Sequence, residues 1–267
     1  MFKIQHNYKL TTIINIAKSA GEKVLVIYQQ DNFSVTNKAD SSPVTQADLI
    51  AHQFIVSALQ QLSPNIPIIS EESSDLNELL SKKMDTYWLI DPLDGTKEFI
   101  TRRGEFTINI ALIDHGVPII GVVYAPTLNA CYFAQQNGGA FKLGNDNKKS
   151  LISVAKLPQK PLRVVVSHSH LSDTTLAYVD KLKQHHEVQL TPMGSSLKIC
   201  LVAEGAADIY PRFEPTRIWD IAAADCILRE AGGGLWSADD PTKRLPYNLS
   251  SLVNGSFIAT AQPMVTQ

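Results

Sequence analysis

The chain has 267 residues, 44% of them hydrophobic and 19% charged, a balance that suits a folded globular protein and excludes an intrinsically disordered one. Twenty-four basic residues against 26 acidic ones leave a formal charge of −2, which argues against a dedicated nucleic-acid binder but leaves room for a small anionic ligand on a local basic cluster. The length suits one large domain or two modest ones, at roughly 100–200 residues each.

Cys131, Cys200 and Cys226 are widely separated, odd in number and without a C-x-x-C pair, the usage of reduced intracellular thiols. Cys200 and Cys226 fall in apolar helical patterns and are expected to be buried. The opening MFKIQHNYKL lacks the apolar core of a signal peptide, and no transmembrane-length apolar run occurs. The expectation is a soluble, cytoplasmic protein, with peripheral association at the inner membrane kept as an alternative.

In chain order, Ile13, Ile14, Ala17, Ala20, Val24, Ile27 and Tyr28 keep helical spacing and predict a first helix. Lys38-Ala39-Asp40-Ser41-Ser42-Pro43 is a polar connection. A second helix is expected from near Thr45, with Ile50, Phe54, Ala58 and Leu62 on its apolar face and Thr45-x-x-Asp48 as a capping box. Tyr87–Ile90 predicts a short buried strand that stops at Asp91. Residues 107–143 predict a β-meander, with apolar runs 107–113, 119–125 and 131–134 separated by turn residues. Beyond 157–161 the style changes. Strands at 162–167, near 187–190, near 207–211, around 235 and at 257–260 alternate with helices near 173–184, 195–204 and 218–230. An α+β half, residues 1–157, is therefore expected to precede an α/β half, residues 158–267.

The chemistry concentrates in Asp91-Pro92-Leu93-Asp94-Gly95-Thr96. Two carboxylates separated by a proline sit where an apolar strand ends, so Asp91, the Leu93 carbonyl and Asp94 can face one small volume. Crowded carboxylates repel unless a cation lies between them, and oxygen-only ligands suit Mg²⁺ or Mn²⁺. Gly95 and Thr96 then open a short helix, whose free N–H groups favour a phosphate oxygen. Metal ligands beside a phosphate cradle point to metal-assisted phosphoryl hydrolysis. The alternative for this stretch is an Asx-turn ending in a helix cap. Glu71-Glu72 after an apolar run, Asp220 at the start of an Ala-rich helix and Asp48 in its capping box each have an equally ordinary reading when taken alone.

Taken together, Glu71-Glu72, Asp91-Pro92-Leu93-Asp94-Gly95-Thr96 and Trp219-Asp220-Ile221-Ala222-Ala223 resemble, in order and separation, the lithium-sensitive, Mg²⁺-dependent phosphatases of the inositol monophosphatase superfamily. The resemblance covers nearly the whole chain. Lys97-Glu98-Phe99-Ile100, Gly104-Glu105-Phe106-Thr107, Ser167-His168-Ser169-His170, Gly194-Ser195-Ser196-Leu197-Lys198 and Tyr210-Pro211-Arg212-Phe213 are similar to its CysQ branch, the 3′(2′),5′-bisphosphate nucleotidases.

The resemblance implies a layered αβαβα sandwich with the site between the two halves. It implies that Glu71, Asp91, the Leu93 carbonyl, Asp94 and Asp220 bind two or three Mg²⁺ ions, with Mn²⁺ as a substitute and Li⁺ as an inhibitor at one position. Gly95 and Thr96 are implied to hold the scissile phosphate through backbone N–H groups. Asp48 and Thr96 are implied to form a relay that orients and deprotonates the attacking water, which Glu71 touches through metal, with no covalent phosphoenzyme. His170, Ser195, Lys198 and Arg212 are implied to contact the nucleotide. The implied reaction removes the 3′-phosphate of adenosine 3′,5′-bisphosphate to give AMP, with 3′-phosphoadenylyl sulfate as a further substrate, in a monomer or homodimer. Lys38-Ala39-Asp40 resembles a family loop that closes over the metals. One departure is Ala224, where many relatives carry glycine.

Two rivals remain at this point. An inositol or sugar phosphatase would share the metal site and differ in the leaving alcohol. A non-catalytic metal- and nucleotide-binding protein would share the fold. A P-loop NTPase is excluded, because G-x-x-x-x-G-K-[ST] does not occur.

Overall fold

The computed structural model describes residues 10–31, 34–37, 43–74, 76, 78, 84–156, 159–169, 171–247 and 249–263. The first apolar stripe forms α1 (Leu10–Tyr28), which buries Ile13, Ala17, Ala20, Val24 and Ile27. A short ribbon follows, β1 (Val35–Asn37) antiparallel to β2 (Pro43–Thr45). The Lys38–Asp40 segment lies outside the described residues. Helix α2 (Gln46–Leu62) starts at the expected capping box: Thr45 Oγ1 accepts from Ala47 N–H at 3.1 Å, and Asp48 Oδ2 accepts from Thr45 N–H at 2.7 Å. Its buried stripe is Ala47, Ala51, Ile55 and Leu59, offset from the expected Ile50, Phe54, Ala58 and Leu62, which are half-buried at the flanks. The two small alanines bring the helix close to its neighbours, and the larger side chains close the sides.

Strand β3 (Ile68–Ser70) runs parallel to β4 (Thr86–Asp94). β4 corrects the expected stop at Asp91. The strand passes through Pro92 to Asp94, with Asp91 opposite Asn109 and Asp94 opposite Thr107, so one extra residue is bulged out. Pro92 has no N–H to give the ladder, and the Leu93 N–H turns instead to Asp91 Oδ1 at 3.0 Å. Helix α3 (Thr96–Ile100) follows at once. The meander then comprises β5 (Thr107–Asp114), β6 (Val117–Ala125), β7 (Ala130–Gln135), β8 (Ala140–Leu143) and β9 (Lys149–Ile152), giving a seven-stranded sheet in the order β3-β4-β5-β6-β7-β8-β9.

The remaining elements are β10 (Leu162–Ser167), α4 (Asp173–Lys183), β11 (Val188–Met193), α5 (Leu197–Ala203), β12 (Ile209–Arg212), β13 (Thr216–Arg217), α6 (Ile218–Glu230), β14 (Gly234–Ser237), β15 (Val253–Asn254) and β16 (Phe257–Thr260). Five of these strands form a second sheet in the order β11-β10-β12-β16-β14, and β13 pairs with β15.

Three apolar clusters set the layers. Trp88, Ile90, Ile108, Ile110 and Leu112 face α1 and α2. The alternate residues Tyr87, Leu89, Ala111 and Ile113 face the opposite way, in one cluster with α5, α6 and the inner face of the second sheet. Val164, Val166 and Ile209 on that sheet's outer face pack with Val179 and Leu182 of α4. The order is helix, sheet, helix, sheet, helix, the αβαβα sandwich expected. Helix α6 crosses the first sheet so closely that a Cβ on Gly121 would lie 2.3 Å from the Ala223 carbonyl oxygen and 2.7 Å from Cys226 Cβ. Gly121→Ala should therefore destabilise the protein by roughly 1–3 kcal/mol, as overpacking does. At about 2–4 °C per kcal/mol the loss is measurable as a melting shift, and an unchanged melting temperature would contradict the packing.

Candidate active site

The site is assembled where β3, β4, α5 and α6 come together. Glu71 follows β3, with its N–H donating to the Ile90 carbonyl at 3.1 Å. Asp91 and Asp94 flank the β4 bulge. Asp220 sits in the first turn of α6 and accepts from the Arg217 N–H at 2.8 Å. Its capping role and its place in the site therefore coexist. Glu71, Asp91 and Asp220 each offer a carboxylate oxygen within 4.8 Å of the other two. Asp94 is not one of the three, and its Oδ2 accepts from the Ser196 N–H at 2.6 Å.

Burial pushes Asp91 well above the ordinary carboxylate value, reinforced by the charges of Glu71, Asp94 and Asp220. Asp220 is raised in the same way by burial and then by Asp94 and Glu71. Burial raises Asp94 too, against the pull of Lys198 and the hydrogen bonds from Ser196. Carboxylates so placed resist ionising together, and their all-oxygen donor set fits a hard divalent cation that would relieve the repulsion.

Gly95 takes a left-handed φ of +93°, which lets the chain leave the strand and enter α3. Thr96 Oγ1 lies 3.2 Å from both Asp48 Oδ1 and the Leu93 carbonyl oxygen, so its hydroxyl proton is shared between the two acceptors. Asp48 is buried at 2% exposure, and its other oxygen, Oδ2, accepts from Thr45 N–H at 2.7 Å and Thr45 Oγ1 at 2.6 Å. The capping box thus aims Asp48 at Thr96.

Glu71, Asp91, Leu93, Asp94, Gly95, Thr96, Ser195, Lys198, Arg212 and Asp220 line one cavity of about 460 Å³. Lys198 is buried there with its Nζ 5.5 Å from the Tyr210 ring centroid, and burial lowers its pKa to about 8 against the attraction of Asp94. The guanidinium of Arg212 donates to the Glu214 and Pro215 carbonyls at 3.2 and 3.3 Å. Ser195 stands before α5, which starts at Leu197, and has φ +50°. His170 lies outside the described residues.

Sequence reasoning missed Ser196 and Asn109. Asn109 Nδ2 donates to Ser196 Oγ at 2.9 Å and approaches Asp94 Oδ2 at 3.5 Å, and Ser196 Oγ donates to the Asp220 carbonyl. A signal for Asn109 existed: an amide in an otherwise apolar strand, buried at 1% exposure, calls for a polar task.

An acidic oxygen cluster beside backbone amides, within an αβαβα sandwich, marks the class of metal-dependent phosphatases acting on small phosphate compounds. The chain belongs to the inositol monophosphatase family, whose model matches residues 7–264. It is 48% identical over 224 residues, 84% of this chain and 88% of the relative, to the 3′(2′),5′-bisphosphate nucleotidase CysQ of Shigella flexneri. It is 43% identical to the protein of the same description from Buchnera aphidicola, covering 94% of this chain and 93% of that one. The crystal structure of CysQ from Bacteroides thetaiotaomicron, a bacterial member of the inositol monophosphatase family, superposes with a TM-score of 0.84 at 40% identity, over 97% of this chain and 98% of the other. Among the described residues no helix is long and apolar enough to cross a membrane.

Proposed function

We propose that this protein is a 3′(2′),5′-bisphosphate nucleotidase that removes the 3′-phosphate of adenosine 3′,5′-bisphosphate, yielding AMP and phosphate, with 3′-phosphoadenylyl sulfate as a second substrate. The observation that carries the reading is the union, in one cavity, of a crowded carboxylate cluster with the buried cation Lys198, in a chain 48% identical to a nucleotidase. A substrate with phosphates at two positions needs positive charge at two places. One is the metal site and the other is Lys198 with Arg212.

Glu71, Asp91, the Leu93 carbonyl, Asp94 and Asp220 are the residues that would hold Mg²⁺, two or three ions, with Mn²⁺ able to substitute and Li⁺ to inhibit. Bound there, the cations supply charge neutralisation for the phosphoryl group and lower the pKa of water. The protein's own groups do the rest. The Gly95 and Thr96 amides orient the phosphate. Thr96 Oγ1 takes a proton from the attacking water as its own proton passes to Asp48 Oδ1, 3.2 Å away. The Leu93 carbonyl is among the groups that would hold a cation, and a cation there would leave Asp48 Oδ1 as the acceptor of the Thr96 hydroxyl proton. The domain reading assigns this machinery to residues 1–157, with 158–267 contributing Asp220 and the nucleotide contacts Ser195, Lys198, Arg212 and His170.

The test is phosphate release from adenosine 3′,5′-bisphosphate beside inositol 1-phosphate, with Mg²⁺ and then with excess chelator. Metal-dependent release selective for the nucleotide is expected. Preference for the inositol substrate would retain the metal site and overturn the roles of Lys198 and Arg212. Nucleotide binding without release from either would leave a non-catalytic binding protein.

A further inference from the structure

Two acids of the first half take no part in the chemistry above, and both reach across to the second half. Glu105, between α3 and β5, accepts the Gly194 N–H on its Oε2 at 2.7 Å, and His168 Nε2 lies 3.3 Å from the same oxygen. Glu98, in α3, accepts the Ser169 hydroxyl on its Oε1 at 2.6 Å. Gly194 is pressed against this pair: a Cβ there would lie 2.7 Å from the Glu105 carbonyl oxygen and 2.9 Å from Glu98 Cγ. The next residue, Ser195, holds φ +50° without being glycine. Such a conformation is strained for a residue with a side chain and persists only where the surroundings over-determine it. One side of Ser195 is held by Ser196, through its N–H to Asp94 Oδ2 at 2.6 Å and its hydroxyl among Asn109 and Asp220. The other side is held by Gly194 on Glu105.

We propose that Glu105, supported by Glu98, is a positioning residue for nucleotide binding: it latches Gly194 across the junction of the halves and keeps Ser195 in its left-handed, cavity-facing conformation. The effect on turnover rests on the nucleotidase reading, whereas the latch itself does not. Because Ser196 is anchored separately on the metal side, loss of the latch falls on substrate affinity more than on the chemical step.

Glu105→Ala and Glu105→Gln test this with two readouts, hydrogen–deuterium exchange at the Gly194 and Ser195 amides and the kinetics with adenosine 3′,5′-bisphosphate. In Glu105→Ala, exchange at these amides and KM should each rise about tenfold or more, as loss of a hydrogen bond to a charged group implies, with kcat within about threefold of wild type. Glu105→Gln keeps an acceptor for Gly194 and should restore most of both. His168→Ala, which leaves the Gly194 bond in place, should change neither. Should Glu105→Ala fail to fold, Glu105→Ser, too short to reach Gly194, carries the same comparison. Unchanged exchange at Gly194 and Ser195 in a folded variant would overturn the latch. Raised exchange with unchanged KM would overturn its role in binding. If the wild type itself releases no phosphate from the nucleotide, the functional reading falls while exchange still judges the latch.

Discussion

Asp91→Asn is expected to lower metal-dependent phosphate release at least about 10³-fold, the factor that several kcal/mol of lost charge stabilisation implies. The same substitution should raise the melting temperature of the metal-free protein. Asp91 is buried, and its ordinary value of 3.8 is raised well upward by burial and by Glu71, Asp94 and Asp220. The folded state therefore holds a proton that the unfolded chain releases, so metal-free stability falls as pH rises from the ordinary carboxylate range through the raised folded value. Asparagine removes that penalty, and its Oδ1 can still accept the Leu93 N–H that Asp91 receives at 3.0 Å. A gain in melting temperature is expected at neutral pH without metal, shrinking as the pH falls into the ordinary carboxylate range. Mg²⁺ should stabilise the wild type and leave the variant nearly unmoved. A variant that retained normal turnover would remove Asp91 from the metal site, and one that melted lower at neutral pH without metal would contradict the cost of burying this carboxylate.

Thr96→Val should reduce kcat by about 10²–10⁴-fold, the range for loss of a positioned proton acceptor, with KM nearly unchanged. Valine keeps the shape and the backbone N–H and removes only the hydroxyl that lies 3.2 Å from Asp48 Oδ1. The Thr45–Asp48 capping box is untouched, so the melting temperature should stay close to wild type. Thr96→Ser should recover most of the rate. A rise in KM at unchanged kcat would instead make Thr96 a phosphate-binding residue with no part in proton transfer. Asp48→Asn is the less clean probe, because the same carboxylate accepts the Thr45 N–H at 2.7 Å and caps α2.

Much of this architecture could be read before the structure. Helical spacing announced α1, and apolar runs separated by turn residues announced the meander. The readings that failed did so for local reasons. Apolar size placed the wrong stripe of α2 inward, because Ala47 and Ala51 contribute closeness where hydropathy counts little. Pro92 suggested the end of a strand, whereas the chain absorbs it as a bulge within β4. That bulge carries Asp91 and Asp94 on either side of a reversed Leu93 amide, a geometry that a strand ending at Asp91 lacks.

The order of residues alone sets the local frames: a capping box around Asp48, a proline-split acidic pair, an acid in the first turn of α6, and the motifs that carry the family resemblance. These depend on neighbours a few positions away, and short-range sterics and hydrogen bonding are written in the order of residues. It is in the packed fold alone that Glu71, Asp91 and Asp220 share one small volume, that Asp48 meets Thr96, and that Ser196 and Asn109 hold Asp94. Only there does Glu105 reach Gly194. Such contacts span 48 residues between Asp48 and Thr96 and 102 between Ser196 and Asp94. They exist because two sheets stack through α5 and α6 and bring distant strand ends and helix starts to one place.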